Sequence, residues 1–228
     1  MSLNITFLGH AGFVLSDGRH TLCIDPYLTG NPLAVTKPGE ITCQHLALTH
    51  GHEDHFGDTL DILRANNAQL IANAEICNYV AEQGHDNVNP GNLGGRIDTD
   101  FGYIAFTPAL HSSSHGGRYM GMPAGLIVRM ADTTFYHLGD TALFSDLKLI
   151  SEIYEPDIAA IPVGDRFTMG PEAASRAAEM VQPRVAIPVH YKTFPLLRQD
   201  IAGFEPPGVE VQELEPGETW VYEGQARE

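Results

Sequence analysis

The chain has 228 residues, 43% of them hydrophobic, and sets 13 Lys and Arg against 29 Asp and Glu for a formal net charge of −16. That is enough for a sizeable core with no Pro/Ser/Gly-rich linker to divide it, so one domain over residues 1–228 is expected. So acidic a surface repels phosphate backbones, which argues against nucleic acid as a partner, and no apolar run approaches a membrane span. The N-terminus enters a strand-like segment directly, and the three isolated cysteines, Cys23, Cys43 and Cys77, suit a reducing compartment. A cytoplasmic location is therefore expected.

In chain order, residues 5–8, 13–16 and 21–24 read as an opening meander of strands. Residues 45–48 form a strand leading into a polar turn, and 56–66 read as a helix with Leu60, Ile62 and Leu63 inward. Residues 69–72 are a short strand, and 74–83 a helix stopped by Gly84. Residues 97–110 fold as two paired strands, 126–131 and 135–138 as another pair, and 146–154 as a helix. Residues 157–163 are a strand, 171–181 a helix with Pro171 at its first position, and 184–189 a strand. Residues 209–213 and 220–223 close the sheet. Elements mixed in this order predict an α/β (α+β) protein, two sheets face to face with helices outside.

The turn after residue 48 carries the chemistry. Thr49-His50-Gly51-His52-Glu53-Asp54-His55 crowds three imidazoles and an acid into six positions, where they repel or desolvate one another unless a cation binds them. Neutral imidazole and ionised carboxylate are the donors that Zn, Fe, Ni or Mn accept. Four side chains cannot complete two coordination shells, so further ligands must come from elsewhere. His111, Asp140 and His190 each follow an apolar, strand-like run, and strand ends are where open α/β architectures place ligands.

The motif His50-x-His52-x-Asp54-His55, followed by His111, Asp140 and His190 in that order, resembles the metallo-β-lactamase superfamily. Gly9-His10-Ala11-Gly12-Phe13, Asp25-Pro26, the Gly164–Pro171 loop and His190-Tyr191-Lys192-Thr193-Phe194-Pro195 resemble a prokaryotic family of metal-dependent hydrolases akin to the ascorbate-6-phosphate lactonases. The resemblance runs from Ile5 to about Phe204. It implies a four-layer αβ/βα sandwich and two divalent ions, zinc first, with Mn, Fe or Ni as alternatives. By the family pattern His50, His52 and His111 hold one ion, Asp54, His55 and His190 the other, and Asp140 bridges them. An oxygen ligand at Asp140, where many β-lactam-cleaving members have cysteine, argues against antibiotic hydrolysis.

The implied reaction is attack by a metal-bridging hydroxide on a small, anionic substrate such as a lactone, ester or phosphodiester. Asp54 and Asp140 are the catalytic carboxylates, with His115 as candidate leaving-group acid. His10 and Asp25 are expected behind the ligands, and Asp165, Tyr191 and Lys192 around the substrate. His20, His45, His85 and His137 read as structural or exposed. Two alternatives stand beside hydrolysis: a diiron-type redox protein, although no phosphate-cradling Gly-rich motif is present, and a non-catalytic metal-binding module. The expected partner is a small molecule, with homo-oligomerisation left open.

Overall fold

The computed structural model describes residues 2–224; residue 1 and residues 225–228, at the ends of the span expected as one domain, lie outside the described residues. The strands are β1 (Ser2–Gly9), β2 (Gly12–Ser16), β3 (Thr21–Ile24), β4 (His45–Ala47), β5 (Gln69–Asn73), β6 (Val88–Gly91), β7 (Arg96–Thr99) and β8 (Gly102–Pro108), then β9 (Ser114–His115), β10 (Arg118–Tyr119), β11 (Ala124–Met130), β12 (Thr133–His137), β13 (Ile158–Pro162), β14 (Val185–Val189), β15 (Glu210–Val211) and β16 (Thr219–Glu223). The helices are α1 (Glu53–Phe56), α2 (Thr59–Asn66), α3 (Ala74–Glu82), α4 (Leu147–Tyr154) and α5 (Pro171–Val181).

Two seven-stranded sheets result, ordered β16-β1-β2-β3-β4-β5-β6 and β15-β14-β13-β12-β11-β8-β7. The period-two alternation of β1 turns Leu3, Ile5 and Phe7 toward the other sheet, where they meet Phe106, Leu126 and Phe135 in a central core. The parallel strands β13 and β14 are apolar throughout because both faces are covered. Leu46 and Leu70 face Ile62, Leu63, Ile76 and Val80 of α2 and α3, while Ile127 and Ile161 face Leu147, Ala174 and Ala178 of α4 and α5. The order helix, sheet, sheet, helix is the four-layer αβ/βα sandwich expected.

Strand direction decides where the ligands can meet. β1 runs with β3 and β4, and β8 with β12, β13 and β14, so the segments after β1, β3 and β4 leave one edge of their sheet. Those after β8, β12 and β14 leave one edge of the other. Hence Asp25, His50, His111, Asp140 and His190 emerge from strands that end together.

Two expectations need correction, and some short strands had no expectation at all. The helix expected over 56–66 is broken at Gly57, which has a φ of 41° where an added Cβ would run into the Pro26 carbonyl, so α1 and α2 are separate. Residues 209–213 and 220–223 do not close one sheet: β15 pairs with β14, whereas β16 pairs with β1 across the molecule. β6 and the β9–β10 hairpin lack a sequence signal, being short and, in β6, carrying Pro90 and Gly91.

Candidate metal centre

β4 ends at Ala47, and its continuation is fixed by a buried acid. Asp25 accepts from the Thr49 amide at 2.9 Å, the Thr49 hydroxyl at 2.5 Å and His55 Nδ1 at 2.8 Å. Because the Thr49 hydroxyl gives its proton to Asp25, its oxygen accepts from His50 Nδ1 at 3.0 Å. One carboxylate thus sets the tautomers of both His50 and His55 and leaves each Nε2 lone pair facing inward. This is the partner arrangement that metal-ligating histidines need. Asp25 thus lies behind His50 and His55, bonded to His55 directly and to His50 through Thr49. Gly51 lies between, its amide donating to Ser113 Oγ at 3.1 Å, and a Cβ there would run into Met120.

The side chains converge in overlapping sets. Donor atoms of His50, His52 and His111 lie within 4.8 Å of one another, as do those of His50, His55 and Asp140, and those of His10, Asp54, His55 and His190. His50 Nε2 is 2.9 Å from His52 Nδ1, and Ser112 Oγ is 3.3 Å from His52 Nε2. Asp140 is 3% exposed and stands amid four imidazoles: its Oδ2 is 3.1 Å from His190, 3.5 Å from His111 and 4.0 Å from His50, and its Oδ1 is 3.3 Å from His55. Oδ2 is therefore the atom common to both halves.

Two observations test whether a cation fits. His55 Nε2 is buried with no well-aligned hydrogen bond and only Asp140 Oδ1 beside it, at 3.3 Å, while its other nitrogen is committed to Asp25. The protonation balance points the same way. Burial, the largest influence, holds His50, His52 and His111 below the ordinary imidazole value, and holds His10, also beside His190, down at about 4. Burial works against charge on Asp54 and Asp140 too, but the surrounding imidazoles outweigh it and keep both well below the usual carboxylate range. At His55 burial is overcome by Asp140 and Asp25, which raise it well above its usual value. In the metal-free chain the acids thus hold a proton on His55, in the place a cation would serve; the donor set fits a divalent metal.

A pH dependence follows. His55 must lose its raised proton to coordinate, so loading releases a proton and lower pH favours the metal-free form. Apparent metal affinity should fall roughly tenfold for each pH unit below neutrality. Titration with a divalent metal in dilute buffer with a pH indicator reads this directly, and an affinity flat between about pH 6 and 8 would contradict it.

Four other expected residues sit apart from this convergence. The His115 ring packs on Phe56 at 4.3 Å and Tyr79 at 5.4 Å, with Nδ1 3.3 Å from Glu53, because β9 carries the chain toward α3, where Arg118 pairs with Glu82. Asp165 is an exposed turn residue at φ 61°, its amide donating to the Met169 carbonyl at 2.9 Å. Tyr191 is buried, and its hydroxyl donates to Glu213 at 3.1 Å. Lys192 is half-buried, with its Nζ 5.0 Å from the Tyr191 ring. His137 is structural: Nε2 donates to the Ala11 carbonyl at 2.8 Å and Nδ1 accepts from Gly139, tying the turn before Asp140 to β2. Sequence reasoning missed Thr49 and Thr193, whose only signal was adjacency to the ligand turns.

Comparison with known proteins agrees with this geometry. Residues 4–190 match the family model described as a beta-lactamase superfamily domain. A UPF0173 metal-dependent hydrolase of Deinococcus radiodurans is 46% identical over 225 residues, covering 95% of this chain and 98% of that one. The chain belongs to the UPF0173 family of the beta-lactamase superfamily. Another UPF0173 relative, TTHA1283 of Thermus thermophilus, is 42% identical over 95% of this chain and 97% of its own. The solved structure of Igni18, a metallo hydrolase from Ignicoccus hospitalis, superposes with a TM-score of 0.90 at 34% identity, covering 99% of this chain and 100% of that one. In this UPF0173 chain the seven side chains expected from the superfamily motif are all drawn into the convergent sets described above.

Proposed function

We propose that the protein is a dinuclear metal-dependent hydrolase of a small, anionic ester, lactone or phosphodiester, with zinc the first candidate metal and Mn, Fe or Ni the alternatives. The observation that carries the reading is Asp140 Oδ2, within 3.1–4.0 Å of histidines from both halves of the cluster. His50, His52 and His111 would hold one ion and Asp54, His55 and His190 the other. Two ions so held would lower the pKa of a shared water from about 15.7 toward roughly 7 and polarise the oxygen of the scissile group.

The chain's own groups do the rest. Asp25 and Thr49 hold the outer nitrogens of His55 and His50 as donors, so in the neutral rings it is Nε2 that is turned toward a metal. Two carboxylates against two dications leave the centre positive, which favours a substrate that is anionic or becomes so on attack. Beside His10 lies a cavity of about 320 Å³ walled by Phe7, Pro32, Leu33, Leu214, Tyr191 and Lys192. It is large enough for a small ligand, and its wall carries both a cation, Lys192, which would meet a substrate anion, and an acid, Glu215. The free, buried cysteines support a reducing, cytoplasmic setting.

The test compares metal-stripped and reconstituted protein on a panel of lactones, carboxylate esters and phosphodiesters. Hydrolysis should vanish with the metal and return with a divalent ion. A reconstituted protein that binds two ions yet cleaves none of the three classes would refute hydrolysis.

A further inference from the structure

His10 sits at the tip of the turn between β1 and β2, in the left-handed region at φ 57°, and its carbonyl accepts the His190 amide at 2.6 Å. Strain of this kind persists where the surroundings over-determine it, and it clusters at functional positions. The ring is 1% exposed and lies tilted 4.1 Å from the His190 ring and edge-on 5.6 Å from that of His55, so it faces the half of the centre built on Asp54.

Thr193 Oγ lies 2.9 Å from His10 Nδ1 and 3.2 Å from the Tyr191 carbonyl, so a hydroxyl that donates to the carbonyl accepts from Nδ1. That tautomer leaves the Nε2 lone pair facing Asp54 Oδ2 at 3.2 Å, whereas the other places a hydrogen bond there; the same oxygen lies 3.8 Å from His190 Nε2. In either case something positive lies between the two atoms, the Nε2 proton in the metal-free chain or a metal ion once one is bound. Donors about 2.1 Å from one ion, at tetrahedral or right angles, are about 3.0–3.4 Å apart. The His10–Asp54 separation falls in that range.

We propose that His10 Nε2 is itself a ligand, the fourth protein donor besides Asp140 to the ion held by Asp54, His55 and His190. This rests on the dinuclear reading above. The two sites are then unequal. The His10 site, richer in donors and more enclosed, binds the tighter equivalent, while the His50, His52, His111 site keeps the open positions and the exchangeable ion.

The experiment uses the full chain loaded with Co(II), comparing wild type with His10→Gln. Cobalt stoichiometry and affinity are measured, and proton NMR counts the exchangeable imidazole N–H signals shifted by the paramagnetic ion. Wild type should bind two equivalents. His10→Gln should lose one shifted N–H signal and weaken the tighter equivalent at least tenfold. Affinity alone would not suffice, because a residue that merely orients Asp54 also costs about 10–100-fold. Thr193→Val gives a second reading should His10→Gln fail to fold: with two ions still bound, one shifted N–H should move or exchange away as its acceptor is lost. Two bound equivalents with an unchanged set of shifted signals in the variants would overturn the proposal alone. A wild type that binds a single equivalent would overturn the dinuclear reading and the proposal together.

Discussion

Asp140→Asn should abolish one of the two metal equivalents and lower kcat/KM by about a thousandfold or more, with the fold retained. Partners behind a ligand are worth roughly 10–100-fold in affinity or activity, and a bridging ligand must exceed them because both ions lose a donor and the attacking water its placement. Asp140 is buried among His50, His55, His111 and His190, and the two nearby acids are engaged elsewhere, Asp25 by Thr49 and His55 and Asp54 by His10. Asparagine keeps the shape and one acceptor oxygen, which separates loss of charge from loss of packing. Metal analysis of the purified variant, beside its steady-state kinetics, reads both effects. A variant that retained two ions and near-normal turnover would remove Asp140 from the bridge.

Asp25→Ala acts one layer back and should be felt first as instability. The substitution leaves the Thr49 amide, the Thr49 hydroxyl and His55 Nδ1 without their acceptor in a fully buried place. Breaking such a buried charged network costs about 3–5 kcal/mol. His55 and His50 would both be freed to turn or change tautomer, so metal affinity should fall as well. Urea unfolding of the metal-free protein measures the first effect and metal titration the second. A drop in activity with unchanged stability and unchanged metal binding would mean that Asp25 touches substrate instead.

The ligand turn was legible because its chemistry is local: His50, His52, Asp54 and His55 are close in the chain, and the crowding is visible without a structure. His111, Asp140 and His190 were legible one step less directly, as polar residues ending apolar runs, since a buried strand leaves such a pattern. His10 was seen only as a residue near the site. Its lone pair depends on Thr193, 183 positions away, and no local pattern encodes that. His115 misled for the opposite reason. It follows a ligand closely in the chain, yet β9 turns the backbone toward α3, and stacking on Phe56 and Tyr79 claims the ring. The separation of β15 and β16 into different sheets is likewise a long-range outcome, since the pairing of Ser2 with Glu223 joins the two ends of the described chain. The break at Gly57 turns on the close approach of Pro26, from another segment.

The most direct test of a paired-cation centre is anomalous diffraction from crystals grown with Mn or Zn. Two peaks should appear, about 3.5–4 Å apart as in other two-metal sites. Asp140 Oδ2 should lie between them, with His50, His52 and His111 around one and Asp54, His55 and His190 around the other. A single peak at full loading, or two peaks that Asp140 does not touch, would contradict the account.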